Sequence, residues 1–403
     1  MALLNEILCV YEKQSKVSNT ELYEYLVNQG IIEAEEIEHK KTVGKAQKPY
    51  NTLKRKIRWQ QQTLKAMGAI ESTGERGEWR LSQKPDSDKL PIIDDGKVLL
   101  AYATDLGMAL WGNCQTVFSG DMSENLISLV LTSPPYPLKR PRAYGNAPTS
   151  EYVDWLCSAI EPILKNLQRG GSICLNLGND VFISGTPARS TYLERLVIAF
   201  EDRFGLYKMD MIPWVNPCKP PGPMQWASKT RQQLNAGWEP IYWFTNDPKH
   251  CQSNNNRILE PHSEAHLAFV KKGGMKQRRV NSDGAYYLKE GAYSKVTEGK
   301  IPRNVISLSH NCADQRQYKI AARSAGLQAH GAAFPVALAE KLISFLTEKG
   351  DLVVDPFAGS NTTGKAAEKL GRRWIASDIV YEYVVGSALR FDASRLWLNH
   401  SII

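Results

Sequence analysis

The sequence predicts an α/β protein with a doubly wound, Rossmann-like sheet, preceded by a small helical domain. From residue 97 onward, apolar runs of strand length alternate with helical patterns, as in a parallel sheet covered by helices. The alternation fails between residues 249 and 326, where polar, basic and glycine-containing sequence dominates, and it is absent from residues 1–82. We therefore expect a first domain at 1–82, a polar linker at 83–96, and a second domain at 97–403 with an inserted region at 249–326.

The first domain is predicted to contain three helices followed by a hairpin. Apolar spacing and capping residues place helices at residues 3–11, from Ser18 or Asn19 to 28, and at 50–67. Two short strands, 69–71 and 79–81, flank a glycine-containing turn. Three helices and a hairpin are typical of a winged helix-turn-helix. A packing or dimerisation module is the alternative.

Charge in this domain favours contact with nucleic acid. The 403-residue chain carries a formal net charge of +8, and nine Lys and Arg residues but no Asp or Glu lie between His39 and Ile70. A solvated helix face usually mixes signs, so a one-signed run favours a polyanionic partner. The candidate DNA contacts in the third helix are Lys54, Arg55 and Arg58.

The remaining bulk properties favour a cytoplasmic protein. No apolar run reaches the length needed to cross a membrane, and the N-terminus lacks a signal-peptide pattern. Seven scattered cysteines without a C-x-x-C pair indicate reduced thiols. His262 and His266 have helical spacing but lack further ligands, so no metal site is predicted.

Two turns in the second domain carry candidate chemistry. The first follows a short apolar strand at 352–354, where Asp355 precedes a turn containing Gly359, and Asp378 ends the next strand. Ligands of open α/β sheets bind at such a crevice, and an acidic residue about 20 positions past the turn can accept hydrogen bonds from ribose. There is no phosphate-binding loop, so a ligand with ribose but no phosphate, such as S-adenosylmethionine, is favoured over another nucleotide.

The second turn is Ser133-Pro134-Pro135-Tyr136, which follows a strand at 126–131. An exocyclic amino group on a base is a poor nucleophile because its lone pair is delocalised into the ring. The Ser133 hydroxyl and the Pro134 carbonyl could accept its two hydrogens, the prolines fix the backbone, and Tyr136 offers a ring face to an extruded base. A chance Pro-Pro turn is the alternative.

Basic residues in two further stretches are candidate DNA contacts, and for the stretch after the Ser-Pro-Pro-Tyr turn an ordinary solvated loop is the alternative. One stretch follows the Ser-Pro-Pro-Tyr turn and the other lies in the inserted region. The candidates are Lys139, Arg140, Arg142, Lys271, Lys272, Arg278 and Arg279.

From about residue 96 to the C-terminus the chain resembles the permuted (β-class) DNA amino-methyltransferases, in which the catalytic motif precedes the cofactor motif, and it is most similar to their PvuII-like branch. In addition, residues 54–59 and 77–81 resemble the N-terminal winged helix of Mrr-type restriction proteins. The stretches that carry the methyltransferase resemblance are 132–135, 144–146, 151–155, 187–190, 216–217, 219–220, 330–335, 359–364, 383–384 and 390–391.

The methyltransferase resemblance implies a set of cofactor contacts. It places Asp355, Phe357 and Gly359 around the methionine moiety, Asp378 at the ribose and Asp121 near the adenine. Further cofactor candidates on the matching motifs are Phe334, Ser360, Asn361 and Thr362. The sequence departs from the family pattern at Gly331, where the family usually has proline, and in its additional N-terminal domain.

The resemblance also implies an activity. A serine at the first catalytic position favours methylation of cytosine N4 within a specific site. Methylation of adenine N6 is the alternative activity. A DNA-binding regulator without catalytic activity is the alternative of another class. The implied partners are double-stranded DNA and a cognate restriction endonuclease, and either a monomer or a homodimer fits. The family's target-recognition region corresponds to residues 249–326.

Overall fold

The computed structural model describes residues 2–14, 16–43, 48–66, 70–81, 92–94, 96–120, 122, 126–138, 145, 147–281 and 283–400. In its N-terminal part, four helices surround a three-stranded sheet and a separate short hairpin. These elements are α1 (Ala2–Lys13), β1 (Val17–Ser18), α2 (Asn19–Asn28), α3 (Ala34–Glu38), β2 (Lys41–Val43), β3 (Lys48–Tyr50), α4 (Thr52–Ala66), β4 (Ile70–Ser72) and β5 (Glu78–Leu81).

Local sequence explains the N-terminal elements. Ser18 caps α2: its hydroxyl accepts from the Glu21 backbone N–H, and the Glu21 carboxylate accepts from the Ser18 N–H at 2.7 Å. Apolar faces of α1, α2 and α4 bury Ile7, Leu22 and Ile57 in one cluster. The three predicted helices and the hairpin are confirmed as elements. Helix α3 and the hairpin β2–β3 were not predicted.

The rest of the chain alternates strands and helices around one large sheet. Its elements are β6 (Val98–Ala103), β7 (Gly107–Gly112), α5 (Cys114–Val117), β8 (Ile127–Thr132), α6 (Tyr152–Leu164), β9 (Leu167–Asn176), α7 (Tyr192–Phe204), β10 (Tyr207–Val215), β11 (Trp238–Thr245), α8 (Glu264–Lys271), β12 (Arg279–Asn281), β13 (Tyr286–Leu288), β14 (Ile306–Ser307), α9 (Ala313–Ser324), α10 (Val336–Leu346), β15 (Leu352–Asp355), α11 (Thr362–Lys369), β16 (Arg373–Asp378), α12 (Tyr381–Ser387) and β17 (Trp397–Leu398).

The large sheet has ten strands in the order β14-β10-β11-β9-β8-β15-β16-β7-β6-β17. Its centre, β9-β8-β15-β16-β7, is parallel throughout. Strand β11 runs antiparallel to both β10 and β9, and β6 runs antiparallel to β7 and β17. The prediction of a parallel sheet is therefore correct for the centre and wrong for both sides. Strand β7 follows β6 after residues 104–106, a connection too short for a parallel neighbour, whereas β10 and β11 are antiparallel despite the long connection 216–237.

Helices cover both faces of the sheet. In β15, Val353 belongs to a cluster with Leu338 of α10, whereas Val354 belongs to a separate cluster with Ile160 of α6 and Phe200 of α7. Successive strand residues point to opposite faces, so this division shows that the sheet is buried on both sides. The doubly wound arrangement is confirmed for the sheet centre. None of the helices in the described ranges combines the length and apolar character needed to cross a bilayer.

Helix α6 ends at Leu164, because β9 begins at Leu167 and the Asn166 amide donates to the carbonyls of Phe118, Gly120 and Pro162. One predicted region differs from the structure. The region 249–326 is not irregular throughout. Its last part supplies β14, which joins the large sheet beside β10, and the twelve-residue helix α9.

Candidate active site

The two motif turns lie side by side at one edge of the sheet. Strands β8 and β15 are parallel neighbours, with Val130 opposite Val354. Their carboxyl ends therefore release Ser133 and Asp355 at the same edge, and the Thr132 hydroxyl donates to the Asp355 carboxylate at 2.6 Å. Ser133 and Phe357 line a cleft of about 220 Å³. Ser133 and Asp355 line a smaller neighbouring cleft of about 50 Å³.

The Asp355 carboxylate is committed to bonds within the protein. Besides Thr132, the Thr363 hydroxyl donates to it at 2.6 Å and the Phe357 N–H at 3.2 Å. Burial raises the pKa of Asp355 to about 6, against the lowering effect of these donors. The carboxylate thus connects β8, β15 and α11, and fixes the start of the cofactor turn that follows.

Asp378 lines the larger cleft and bonds to the backbone of Gly359. The Asp378 carboxylate accepts from the Gly359 N–H at 2.7 Å and from the Val380 N–H at 2.9 Å, and it lines the cleft. Burial raises the pKa of Asp378 to about 6. Gly359 has φ +50°, and a Cβ atom there would lie 2.8 Å from the His330 ring. The turn therefore requires glycine, for its backbone conformation and for the approach of His330.

Aromatic side chains complete the larger cleft. Trp155 and Phe357 pack with their ring centroids 5.5 Å apart, and both line the cleft together with Pro135 and Tyr383. Flat apolar rings can hold a purine, and a carboxylate can accept from ribose hydroxyls. These residues therefore suit S-adenosylmethionine. No group of three or more His, Cys, Asp or Glu side chains suitable for a metal ion occurs among the residues the structure describes.

The other predicted cofactor residues divide into two groups. Phe334 and Thr362 line the smaller cleft. The side chains of Ser360 and Asn361 instead bond inside the fold: Ser360 accepts from Arg390, and Asn361, at φ 52°, caps α11 through the Gly364 N–H. Asp121 lies outside the described residues.

The Ser133-Pro134-Pro135-Tyr136 turn borders both clefts. Ser133 lines both, Pro134 and Tyr136 line the smaller one, and Pro135 lines the larger one. A Cβ on Gly178 would lie 2.6 Å from the Tyr136 ring, so the absence of a side chain there lets this ring pack closely. The Tyr136 hydroxyl bonds with Ser133 at 3.1 Å.

Several residues of this site were not predicted individually. Trp155 and His330 lie in stretches that carried the family resemblance, and so does Lys219, whose ammonium group is 3.0 Å from the Glu239 carboxylate. Glu239 in turn accepts from the Tyr136 hydroxyl at 3.2 Å. A resemblance motif thus provided a signal for three of these residues, whereas no feature of the sequence indicated Glu239.

Those of the predicted basic residues that the structure describes do not line either cleft. In α4, Lys54 is 3.9 Å from Glu38 and lies over the Tyr23 ring, while Arg55 and Arg58 are exposed. The inserted region exposes Lys271, Lys272, Arg278 and Arg279, and the Arg278 guanidinium stacks over Tyr287. Lys139, Arg140 and Arg142 lie outside the described residues.

Comparison with known proteins defines the class. A family model described as DNA methylase, for N6 and N4 methyltransferases, matches residues 127–388. The chain belongs to this family and is a DNA methyltransferase, not a non-catalytic regulator.

Particular relatives agree with this assignment. The type II methyltransferase M.PvuII of Proteus hauseri is 35% identical over 293 residues, which cover 72% of this chain and 85% of that protein. M.BglII of Bacillus subtilis is 27% identical over 264 residues, 66% of this chain and 63% of that protein. The DNA adenine methyltransferase YhdJ of Escherichia coli is 40% identical over 167 residues, 41% of this chain and 48% of that protein.

A solved structure shares the fold. The PvuII DNA methyltransferase, described as cytosine-N4-specific, aligns with a TM-score of 0.56 and 32% identity. The alignment covers 72% of this chain and 88% of that structure. The mixed α/β fold with a large central sheet is thereby that of a DNA methyltransferase.

Proposed function

We propose that this protein transfers a methyl group from S-adenosylmethionine to the exocyclic N4 amino group of cytosine in double-stranded DNA. The observation that carries this proposal is the position of Ser133, which lines both clefts at the edge where β8 and β15 end. One cleft suits the methyl donor, and the other would receive the base. Base extrusion costs a few kcal/mol, which stacking in the smaller cleft would partly offset.

The chemistry depends on hydrogen-bond acceptors at the amino group. The Ser133 hydroxyl oxygen and the Pro134 carbonyl would accept its two hydrogens, so that the nitrogen pyramidalises and its lone pair points into the larger cleft. S-adenosylmethionine, when bound, supplies a methyl group on a positively charged sulfur. The protein contributes mainly proximity and orientation, which can account for several kcal/mol of the barrier.

Three features of the larger cleft would hold the donor. The Asp378 carboxylate would accept from ribose hydroxyls, and the rings of Trp155 and Phe357 would hold the adenine and the adjoining chain. Asp355 would act by fixing the turn, because its oxygens are already occupied by Thr132, Thr363 and the Phe357 N–H.

Cytosine is favoured over adenine by two observations. Serine occupies the first position of the catalytic turn, and the cytosine-N4-specific PvuII enzyme aligns over 72% of the chain. Adenine N6 is the second candidate, because the adenine methyltransferase YhdJ matches 41% of the chain at 40% identity. A type II relative also supports a specific target site and a cognate restriction endonuclease as partner.

The identity of the modified nucleoside tests the proposal. Unmethylated bacterial DNA is incubated with the protein and isotopically labelled S-adenosylmethionine, hydrolysed, and analysed by mass spectrometry. We expect N4-methylcytosine, with a rate at least 100-fold lower in Ser133→Ala and unchanged in Ser119→Ala, an exposed serine whose hydroxyl donates to the Thr116 carbonyl. Label in N6-methyladenine would favour the second candidate. Undiminished activity of Ser133→Ala would remove Ser133 from the mechanism.

We further propose that residues 1–82 form a winged-helix domain that contacts DNA phosphates. The support is a three-stranded sheet in the order β1-β5-β4 beside α4, whose surface exposes Arg55 and Arg58. In this proposal, residues 83–96 form the linker and residues 97–403 the methyltransferase domain. A cytoplasmic location is part of the proposal.

Target recognition is assigned to the inserted region, chiefly to residues 249–305. The hairpin β12–β13 exposes Tyr286 and Tyr287 next to the basic residues Arg278 and Arg279. A two-stranded ribbon fits the major groove of B-DNA, and guanidinium groups read guanine there. Helix α9 belongs to the framework of the cofactor site, because Gln315 donates to the Phe334 carbonyl and to the Thr362 hydroxyl.

A further inference from the structure

A hydrogen-bonded chain lies behind Ser133. The Ser133 and Tyr136 hydroxyl oxygens are 3.1 Å apart. On the far side of the phenol, the Asn176 amide oxygen and the Glu239 carboxylate each lie 3.2 Å from the Tyr136 oxygen. Asn176 is buried, and the Glu239 side chain is 21% exposed. The catalytic hydroxyl is therefore connected through one phenol to a carboxylate in another strand.

The chemistry of the partners decides the direction of these bonds. A phenol has one proton, whereas an ionised carboxylate and an amide oxygen can only accept. The Tyr136 proton must therefore point towards Glu239 or Asn176. Its oxygen then has lone pairs only for Ser133, so the Ser133 hydroxyl must donate to Tyr136. The lone pairs of Ser133 are left for a hydrogen-bond donor in the smaller cleft.

The phenol keeps the proton that it donates to these acceptors. Burial, and then the neighbouring Glu239 charge, raise the pKa of Tyr136 well above its ordinary range. Tyr136 consequently remains protonated at neutral pH. The direction of the chain is thus determined at its far end by the two acceptors Glu239 and Asn176, of which only Glu239 carries a charge.

Lys219 holds Glu239 in place and also pairs with Asp180. Lys219 lies 3.0 Å from the second Glu239 oxygen and 3.6 Å from the Asp180 carboxylate. The Lys219 side chain is 19% exposed, so this ion pair is partly removed from solvent. Charge-assisted bonds of this kind fix geometry better than neutral ones. One Glu239 oxygen is held by Lys219 and the other is left to Tyr136.

We infer that Glu239, acting through Tyr136, is a positioning residue that keeps the Ser133 hydroxyl in the acceptor orientation needed to bind an exocyclic amino group. The inference rests on the proposed function and extends it, because it assigns a second task to Tyr136 beyond stacking. A serine hydroxyl can donate as readily as it accepts, and a donor pointing at an amino group would repel it. The network removes that ambiguity before the base enters.

Single-turnover methylation tests the inference. The wild type, Tyr136→Phe, Glu239→Gln and the double variant are compared on unmethylated bacterial genomic DNA with labelled S-adenosylmethionine. Tyr136→Phe removes the phenol oxygen without changing any charge or the ring. Glu239→Gln allows an amide N–H to face Tyr136, which would reverse the direction of the hydrogen bonds between residue 239, Tyr136 and Ser133. Glu194→Gln, exposed on α7, is the matched control for loss of one carboxylate.

We expect each single variant to lower the single-turnover rate by about 10-fold to 100-fold, with S-adenosylmethionine affinity within about twofold of wild type. The double variant should be no slower than the slower single variant, because both changes interrupt one chain. In a Ser133→Ala background, neither change should lower the rate further. A purely structural role of Tyr136 or Glu239 would not produce this dependence on Ser133.

The outcomes separate the two proposals. If the wild type forms methylated base and Glu239→Gln is as fast as Glu194→Gln, the positioning role is refuted and the proposed function stands. The same holds if the losses in the double variant multiply, or if they persist undiminished in the Ser133→Ala background. A wild type that methylates no base would refute both.

Discussion

Substitution of Gly359 tests the link between the cofactor turn and its function. Gly359 has φ +50°, and a Cβ atom there would lie 2.8 Å from two atoms of the His330 ring. Gly359→Ala therefore incurs two costs, one from the left-handed backbone and one from the contact with the ring. Gly371 has φ +71° with no atom within 4 Å of its Cβ position, so Gly371→Ala incurs only the first.

The magnitudes follow from this difference. An alanine in the left-handed region costs about 1 kcal/mol relative to glycine. Overpacking against a held ring adds about 1–3 kcal/mol. Gly359→Ala should thus lower the free energy of unfolding by about 2–4 kcal/mol and Gly371→Ala by about 1 kcal/mol. Because the Gly359 N–H donates to Asp378, displacement of the turn should also weaken S-adenosylmethionine binding at least tenfold.

Two measurements decide the outcome. Urea denaturation gives the loss of stability, and isothermal titration calorimetry gives the affinity for S-adenosylmethionine. Gly371→Ala should bind the cofactor with wild-type affinity. If the two variants lose equal stability, the contact with His330 is without consequence. If Gly359→Ala binds S-adenosylmethionine like the wild type, the turn is not part of the cofactor site.

Three other predictions follow from the structure. The pKa of Asp378 is raised to about 6, so its carboxylate becomes protonated as the pH falls. The affinity for S-adenosylmethionine, measured by calorimetry, should therefore drop about tenfold from pH 7 to pH 5. Asp378→Asn should bind the cofactor weakly at both pH values. Arg390→Met leaves the partly buried Asp314 without its partner and should destabilise by about 3 kcal/mol in urea, whereas the exposed Arg395→Met should have little effect. Replacing Lys54, Arg55 and Arg58 together by Gln should reduce the slope of log affinity for DNA against log salt by about 2–3; an unchanged slope would exclude these residues from phosphate contact.

The meeting of the two motif turns was predictable from sequence because it depends on strand direction alone. Ser133 and Asp355 each follow an apolar strand, and parallel strands end at the same edge of a sheet. The sequence could not show that β8 and β15 would be immediate neighbours. That arrangement is fixed by register, with Val130 opposite Val354, and by the Thr132–Asp355 bond.

The direction of β11 and the position of Glu239 were missed for the same reason. An apolar run has the same pattern in either direction, so the sequence did not reveal that β11 is antiparallel to β9. An antiparallel strand begins at the edge where its parallel neighbours end. Glu239, near the start of β11, therefore reaches Tyr136, whereas a parallel β11 would have placed it at the opposite edge.

Helix α9 was obscured by its composition. Its exposed face is polar and basic, and only Gln315, Tyr318 and Ala322 are buried. The buried contacts are specific: Gln315 donates to Thr362, and the Tyr318 hydroxyl accepts from the His330 N–H. Such contacts between distant segments leave no periodic signal. Polar sequence is therefore a poor indication that a segment lies outside the framework of a site.

The pairing of β8 with β15 has a consequence for synthesis of the protein. Thr132 and Asp355 bond across 223 positions of sequence, so a nascent chain has the catalytic turn long before its partner strand leaves the ribosome. Until then β8, whose six residues are all buried in the finished protein, has an unpaired apolar edge that can associate with other chains. Methylation therefore requires translation beyond Asp355, and we expect products truncated before residue 352 to be inactive and prone to aggregate.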